Sequence, residues 1–208
     1  MQRLTLPAIP HNLPLYSLSF LSNFCILVIE ITGGRLLAPY LSTSATVWAS
    51  LIAVTLGAMA IGYWYGGKWG DSGAIREKAG FALLLSGSLI LVAWGMRDYI
   101  PTVISAAHMP VPVTTIIIGG LLFMPAIIML AGISPLLARM TITRMETSAS
   151  AVGTVSAVGT VGSIAGAIAT AVFLMPHFGV HEILFGISVL LLLCSLPWNR
   201  TNIPRVAF

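Results

Sequence analysis

Apolar residues run in long blocks along this chain, separated by short stretches rich in Gly, Pro and charge. A helix needs about 20 apolar residues to cross the hydrocarbon of a bilayer. On that measure the blocks predict six spans, at about 13–32, 47–66, 79–96, 113–137, 149–175 and 180–196. Pro125 and Pro135 predict a kink in the fourth. The segment 97–112 is broken by Pro101, Pro110 and Pro112, so it predicts no single straight helix, only a short surface helix over Thr102–His108. Trp48 and Trp64 fall near the ends of the second span, where amphipathic rings favour the membrane–water interface. The fold expected is an all-α integral membrane protein with one transmembrane domain over 1–208.

Composition agrees. Of the 208 residues 57% are hydrophobic and 8% charged, against about 25% charged in a soluble domain. The net charge of +4 comes from bases placed singly in connections, not along one face, so it is no nucleic-acid signature. Cys25 and Cys194 both sit inside apolar blocks and read as inert buried thiols, not as a disulfide. The first block superficially resembles a signal peptide, but it is long and no clean small-residue cleavage site follows, so it reads as a retained helix.

The bases also set an orientation. With the N-terminus inside, the inner segments carry Arg3, Lys68, Arg76, Lys78, Arg139, Arg144, Arg200 and Arg205, and the outer ones only Arg35 and Arg97. The positive-inside rule then places both termini in the cytoplasm, in a multi-pass protein of the cell (inner) membrane.

Candidate chemistry concentrates in Glu30-Ile31-Thr32-Gly33-Gly34-Arg35-Leu36-Leu37-Ala38-Pro39-Tyr40. An acid inside a membrane is costly to bury and is a functional candidate for that reason. Two readings stay open: Glu30 and Arg35 neutralise each other, or Glu30, Arg35 and Tyr40 form a substrate or ion site in which Glu30 holds a cation or coupling proton and Arg35 tunes or gates it. Gly33, Gly34 and Pro39 predict a break in the helix, which would expose backbone groups to a cavity. Gly67, Asp71 and Arg76 form a second candidate: a solvated charged loop, or one that resembles the loop of major-facilitator transporters whose charges latch two helices together. Gly62 and Gly66, and Gly159, Gly162 and Gly166, have the small-residue spacing of close helix packing, within one bundle or across a dimer. The turn His177-Phe178-Gly179-Val180-His181-Glu182 holds two histidines and an acid, but its glycine spoils regular presentation, and no metal is expected. No phosphate loop, dinucleotide fingerprint or nucleophile elbow appears, so no cofactor is expected.

Two features suggest repetition. Ser150-Ala151-Val152-Gly153-Thr154-Val155 is copied at once as Ser156–Val161, with a period that does not match a helix. Leu36-Leu37-Ala38 and Leu136-Leu137-Ala138 occupy corresponding places after the first and fourth blocks, as a 3+3 inverted repeat would have them.

The motif Glu30-x-x-Gly33-Gly34-Arg35-Leu36-Leu37-Ala38-Pro39-Tyr40-Leu41 opens a wider pattern. It continues through Val47-Trp48, Gly62-Tyr63-Trp64-Tyr65-Gly66-Gly67-Lys68-Trp69-Gly70-Asp71 and Gly159-Thr160-Val161-Gly162-Ser163 to Leu174-Met175-Pro176. On these residues the chain resembles the membrane module of the fused, major-facilitator-like transmembrane spermidine synthase family. Ser42 and Ser72 depart from the family's Gly and base. The resemblance implies half of a major-facilitator-like transporter and a small amine or polyamine-related metabolite as ligand. The soluble aminopropyltransferase half has no counterpart in these residues, so no enzyme activity is expected. The expected roles are a half-size transporter or, alternatively, a non-catalytic anchor or scaffold. Its expected partners are the lipid bilayer and either a second copy or a membrane or soluble subunit, with no nucleic acid.

Overall fold

The computed structural model describes residues 13–106, 108–142 and 148–199. Arg3, Arg144, Arg200 and Arg205, which enter the orientation argument, lie outside the described residues. Among the described residues there is no strand. Six helices are long and apolar enough to cross a membrane, and the chain is an all-α, multi-pass membrane protein.

The spans are α1 (Leu13–Leu41), α2 (Ala45–Asp71), α3 (Ile75–Gly95), α5 (Val111–Thr141), α6 (Ser148–His177) and α7 (Val180–Asn199). A short α4 (Ile100–Ala106) follows a single 3-10 turn at Arg97–Tyr99, close to where a surface helix was expected. Within α6, residues Ala169–Leu174 wind as a π-helical turn.

The helices run further than hydropathy indicated, and the loops shrink to match. The α1–α2 connection is only Ser42–Ser44. Ser42 takes a left-handed φ of 78°, and the Ser44 side chain accepts from the Val47 N–H at 3.4 Å to cap α2. After α2 the turn is Ser72–Ala74, with Gly73 at φ 77° and Ala74 at φ 50°.

The break predicted at Gly33-Gly34 is absent: α1 continues through both glycines and Pro39 to Leu41. An unpaired backbone group in hydrocarbon costs several kcal/mol, and only a local cavity would relieve it. The glycines are buried instead beneath neighbouring rings. A Cβ on Gly33 would fall 2.7 Å from Phe123 Cε2, and one on Gly34 2.9 Å from Trp48 Cη2. Their small size, not their backbone freedom, is what this position requires.

Helices α1 and α5 form the centre, each 56% buried over its most apolar window, against 22% for α6. Helix α6 packs along α1, α2 along α5, and α3 against both α7 and α5. The largest fully buried side chains are Ile26, Ile29 and Leu37 on α1, five residues of α5 from Ile127 to Leu137, and Leu83, Ile90, Leu184 and Leu191 on α3 and α7.

Because lipid is as apolar as Leu, close backbone approach and interhelical hydrogen bonds hold such a bundle. Both are present. A Cβ on Gly62 would lie 2.5 Å from the Ile128 carbonyl, and one on Gly66 would run into Gly132 of α5. On α6, Gly162 and Gly166 lie against the Phe20 and Phe24 carbonyls of α1, and Gly159 against Asn23. All five packing glycines therefore serve contacts within the bundle. Ser19 Oγ donates to the Val155 carbonyl at 2.9 Å, joining α1 to α6, and Ser86 Oγ donates to the Ala126 carbonyl at 3.1 Å, joining α3 to α5.

Candidate functional site

Extending α1 moves Glu30 from the end of a span into its interior. Eleven residues separate it from Leu41, about 16 Å at 1.5 Å per residue. The five-residue step from Glu30 to Arg35 turns the helix by roughly 140° relative to a shared face, so the two charges diverge. Among the described residues they make no ion pair, and the mutual-neutralisation reading is replaced by two separate sites.

Glu30 is half-buried and, among the described residues, has neither a hydrogen bond nor a salt bridge. Its stripe of α1, at three-, four- and seven-residue steps, holds Asn23, Ile26, Leu27, Gly33, Gly34 and Leu37, all buried but the half-buried Leu27. That stripe meets three helices: Asn23 reaches Ser134 of α5 and lies against Gly159 of α6, Gly33 lies under Phe123 of α5, and Gly34 under Trp48 and Leu51 of α2. The carboxylate therefore belongs to the part of α1 on which α2, α5 and α6 converge.

Arg35 instead lines a cavity of about 290 Å³ at the end of the bundle where α1 stops. Leu36, Pro39 and Tyr40 of α1 join it, with Arg97, Asp98 and Pro101 before and within α4, and Val180 and His181 opening α7. Arg97 is held from behind: its guanidinium lies 4.4 Å from the Trp94 ring centroid, donates to the Trp94 carbonyl at 3.2 Å, and approaches Asp98 at 3.6 Å. Arg35 is exposed and, among the described residues, has no ion-pair partner.

At the opposite end, the α2–α3 turn is latched by a residue other than those singled out. Lys78 Nζ donates to the Trp69 carbonyl and to Ser72 Oγ, both at 2.6 Å, closing over the last turn of α2. Asp71 is exposed at the helix end, Arg76 lies 5.2 Å from the Trp198 ring centroid of α7, and among the described residues nothing lies within 4 Å of a Cβ on Gly67. Of the turn histidines, His177 is engaged locally and His181 lines the Arg35 cavity. His177 Nδ1 is 2.8 Å from the Phe173 carbonyl, and Glu182 accepts from the Gly179 N–H at 3.0 Å. Among the described residues no three His, Cys, Asp or Glu side chains gather to hold a metal.

Sequence reasoning missed Asn23, Ser19, Ser134, Arg97 and Lys78 as site residues, and it weighed His181 only as a metal ligand and not as a neighbour of Arg35. Asn23 carried a usable signal, since an amide inside an apolar span needs partners: its Nδ2 donates to the Ser19 carbonyl at 2.9 Å and to Ser134 Oγ at 3.3 Å. Arg97 and His181 carried none, because their meeting with Arg35 depends on how α1, α4 and α7 come together.

Fold and composition together define a multi-pass α-helical protein of a lipid bilayer. No family model, curated protein or solved structure matches the chain.

Proposed function

We propose that this chain is a small transporter-like membrane protein in which Glu30 holds a cation, either a coupling proton or a protonated amine. The observation that carries the reading is an acid in the interior of α1, half-buried and without a basic partner among the described residues. An ionisable group so placed is expensive unless protein or water keeps lipid away, and such groups mark ion and proton paths. The amine enters only from the resemblance to the transmembrane spermidine synthase-like family.

The arrangement of neighbours favours a 3+3 inverted repeat. Exchanging α1 with α5, α2 with α6 and α3 with α7 maps the α1–α6 pair onto α5–α2 and the α3–α5 pair onto α7–α1. It leaves α1–α5 and α3–α7 unchanged, and all of these pairs touch. In transporters of that plan, sites lie near the midplane at the repeat interface. Bases favour an orientation with the Lys68 end in the cytoplasm: Lys68, Arg76, Lys78 and Arg139 face Arg35 and Arg97 at the other end. A single such carboxylate per six spans fits a homodimer in a cell membrane.

Reconstituted vesicles test this, with a pH-sensitive dye and labelled spermidine as probes. Wild type should move protons or spermidine, Glu30→Gln should lose that activity, and Glu30→Asp should recover part of it, with unchanged thermal unfolding in all three. Transport by Glu30→Gln at the wild-type rate, or none by wild type, overturns the reading.

A non-catalytic anchor or scaffold is the second reading. Helix α6 favours it through its apolar face, where Val161, Ile164, Ile168 and Val172 are 55–70% exposed. On that reading a subunit co-purifies in mild detergent and stays bound to Glu30→Gln.

A further inference from the structure

We infer that the cavity at the Arg35 end is a binding site for a phosphate group, held between the guanidiniums of Arg35 and Arg97. Three elements distant in sequence build it: the last turns of α1, the 3-10 turn with the start of α4, and the first turn of α7. The charged and titratable groups on its wall are two guanidiniums, one carboxylate, one imidazole and the Tyr40 phenol. Among the described residues Asp98 approaches only Arg97, at 3.6 Å, with its side chain 76% exposed, and Arg35 has no ion-pair partner. Glu182, in the first turn of α7, bonds the Gly179 N–H and is not part of the cavity wall, so the surplus on that wall is positive and comes from the arginines.

The chemistry of the surplus selects the ligand. A guanidinium presents a planar fork of donors that matches phosphate oxygens in pairs. Arg97 is already oriented by the Trp94 ring and carbonyl, so less freedom is lost when it binds. Pro39 and Pro101 stiffen two of the walls. Two arginines against one acid also repel polyamines, so this is a separate site from Glu30 and not an amine vestibule.

The level of the cavity in the bundle admits two sources of phosphate. Tyr40, on its wall, is 46% exposed, and Tyr99, in the 3-10 turn that supplies Arg97 and Asp98, is 67% exposed, aromatic residues of the sort that settle at headgroup depth. A phospholipid headgroup reaches that depth from the side, and a soluble phosphate compound reaches it from water.

The test reads binding, not uptake, so it can fail while the Glu30 reading stands, or succeed while that reading fails. Full-length protein in detergent is titrated with short-chain phosphatidylglycerol and, separately, with inorganic phosphate, with a neutral diacylglycerol as control. At least one phosphate probe should bind above the control. Arg35→Gln should weaken that binding roughly fivefold, the scale of one basic residue near an anionic surface. Arg97→Gln should weaken it similarly, and Arg35→Gln, whose side chain is exposed and unpaired among the described residues, should unfold at the wild-type temperature. Lipid binding alone identifies a headgroup site, phosphate binding alone a site for a soluble anion, and either supports the inference. Binding of neither probe, or binding unchanged in Arg35→Gln, overturns it.

Discussion

Adjacent glycines in α2 offer an internal control for how this bundle is held. Gly66 lies against Gly132 so closely that a Cβ there would meet the Gly132 carbonyl and Cα, backbone atoms that cannot swing aside. One residue on, a Cβ at Gly67 would meet nothing within 4 Å among the described residues. Gly66→Ala must therefore push α2 away from α5, also loosening the neighbouring Gly62 contact with Ile128 and Ala131. Adding a methyl to a well-packed site costs about 1–3 kcal/mol. Gly67→Ala adds the same atoms without a collision and gains helix propensity, at most about 1 kcal/mol. Because helices stay formed in the membrane when the bundle separates, that gain is an upper bound. The two variants should thus differ by about 1–4 kcal/mol in opposite senses, read as the free energy of unfolding by denaturing detergent in mixed micelles. Equal stability of the pair would refute the claim that backbone contact between α2 and α5 holds the fold.

Two smaller perturbations probe the polar contacts. Ser19→Ala removes the α1–α6 hydrogen bond to Val155; interhelical bonds of this kind are worth about 0.6 kcal/mol on average in bilayers, and the same detergent titration should register a loss of that order. Lys78→Met removes the cation that closes the end of α2 at Trp69 and Ser72. A hydrogen bond typically contributes about 1 kcal/mol, so the variant should show faster hydrogen exchange at Ser72 and Gly73, whose N–H groups bond to the last turn of α2, with α5 unaffected.

Composition and block length were enough to specify a membrane protein of six spans, because the absence of water in hydrocarbon permits few alternatives to long apolar helices. The glycine spacings announced close packing, and the structure chose packing inside one bundle over a dimer seam at all five positions. Where each helix ends was not legible: α1 runs nine residues past the 32 expected, to Leu41, because a helix continues through polar interface and even through Gly33-Gly34 when it satisfies its own backbone. That error misplaced Glu30 at a span's end. Nor could sequence separate Glu30 from Arg35, whose nearness along the chain suggested a pair; a continuous helix turns them onto different faces. Only the tertiary structure brought Arg35 to Arg97 and His181, because a cavity among three helices is fixed by how their small residues let the backbones meet. Local pattern determines which segments cross a bilayer, and packing between distant segments determines which side chains share a site.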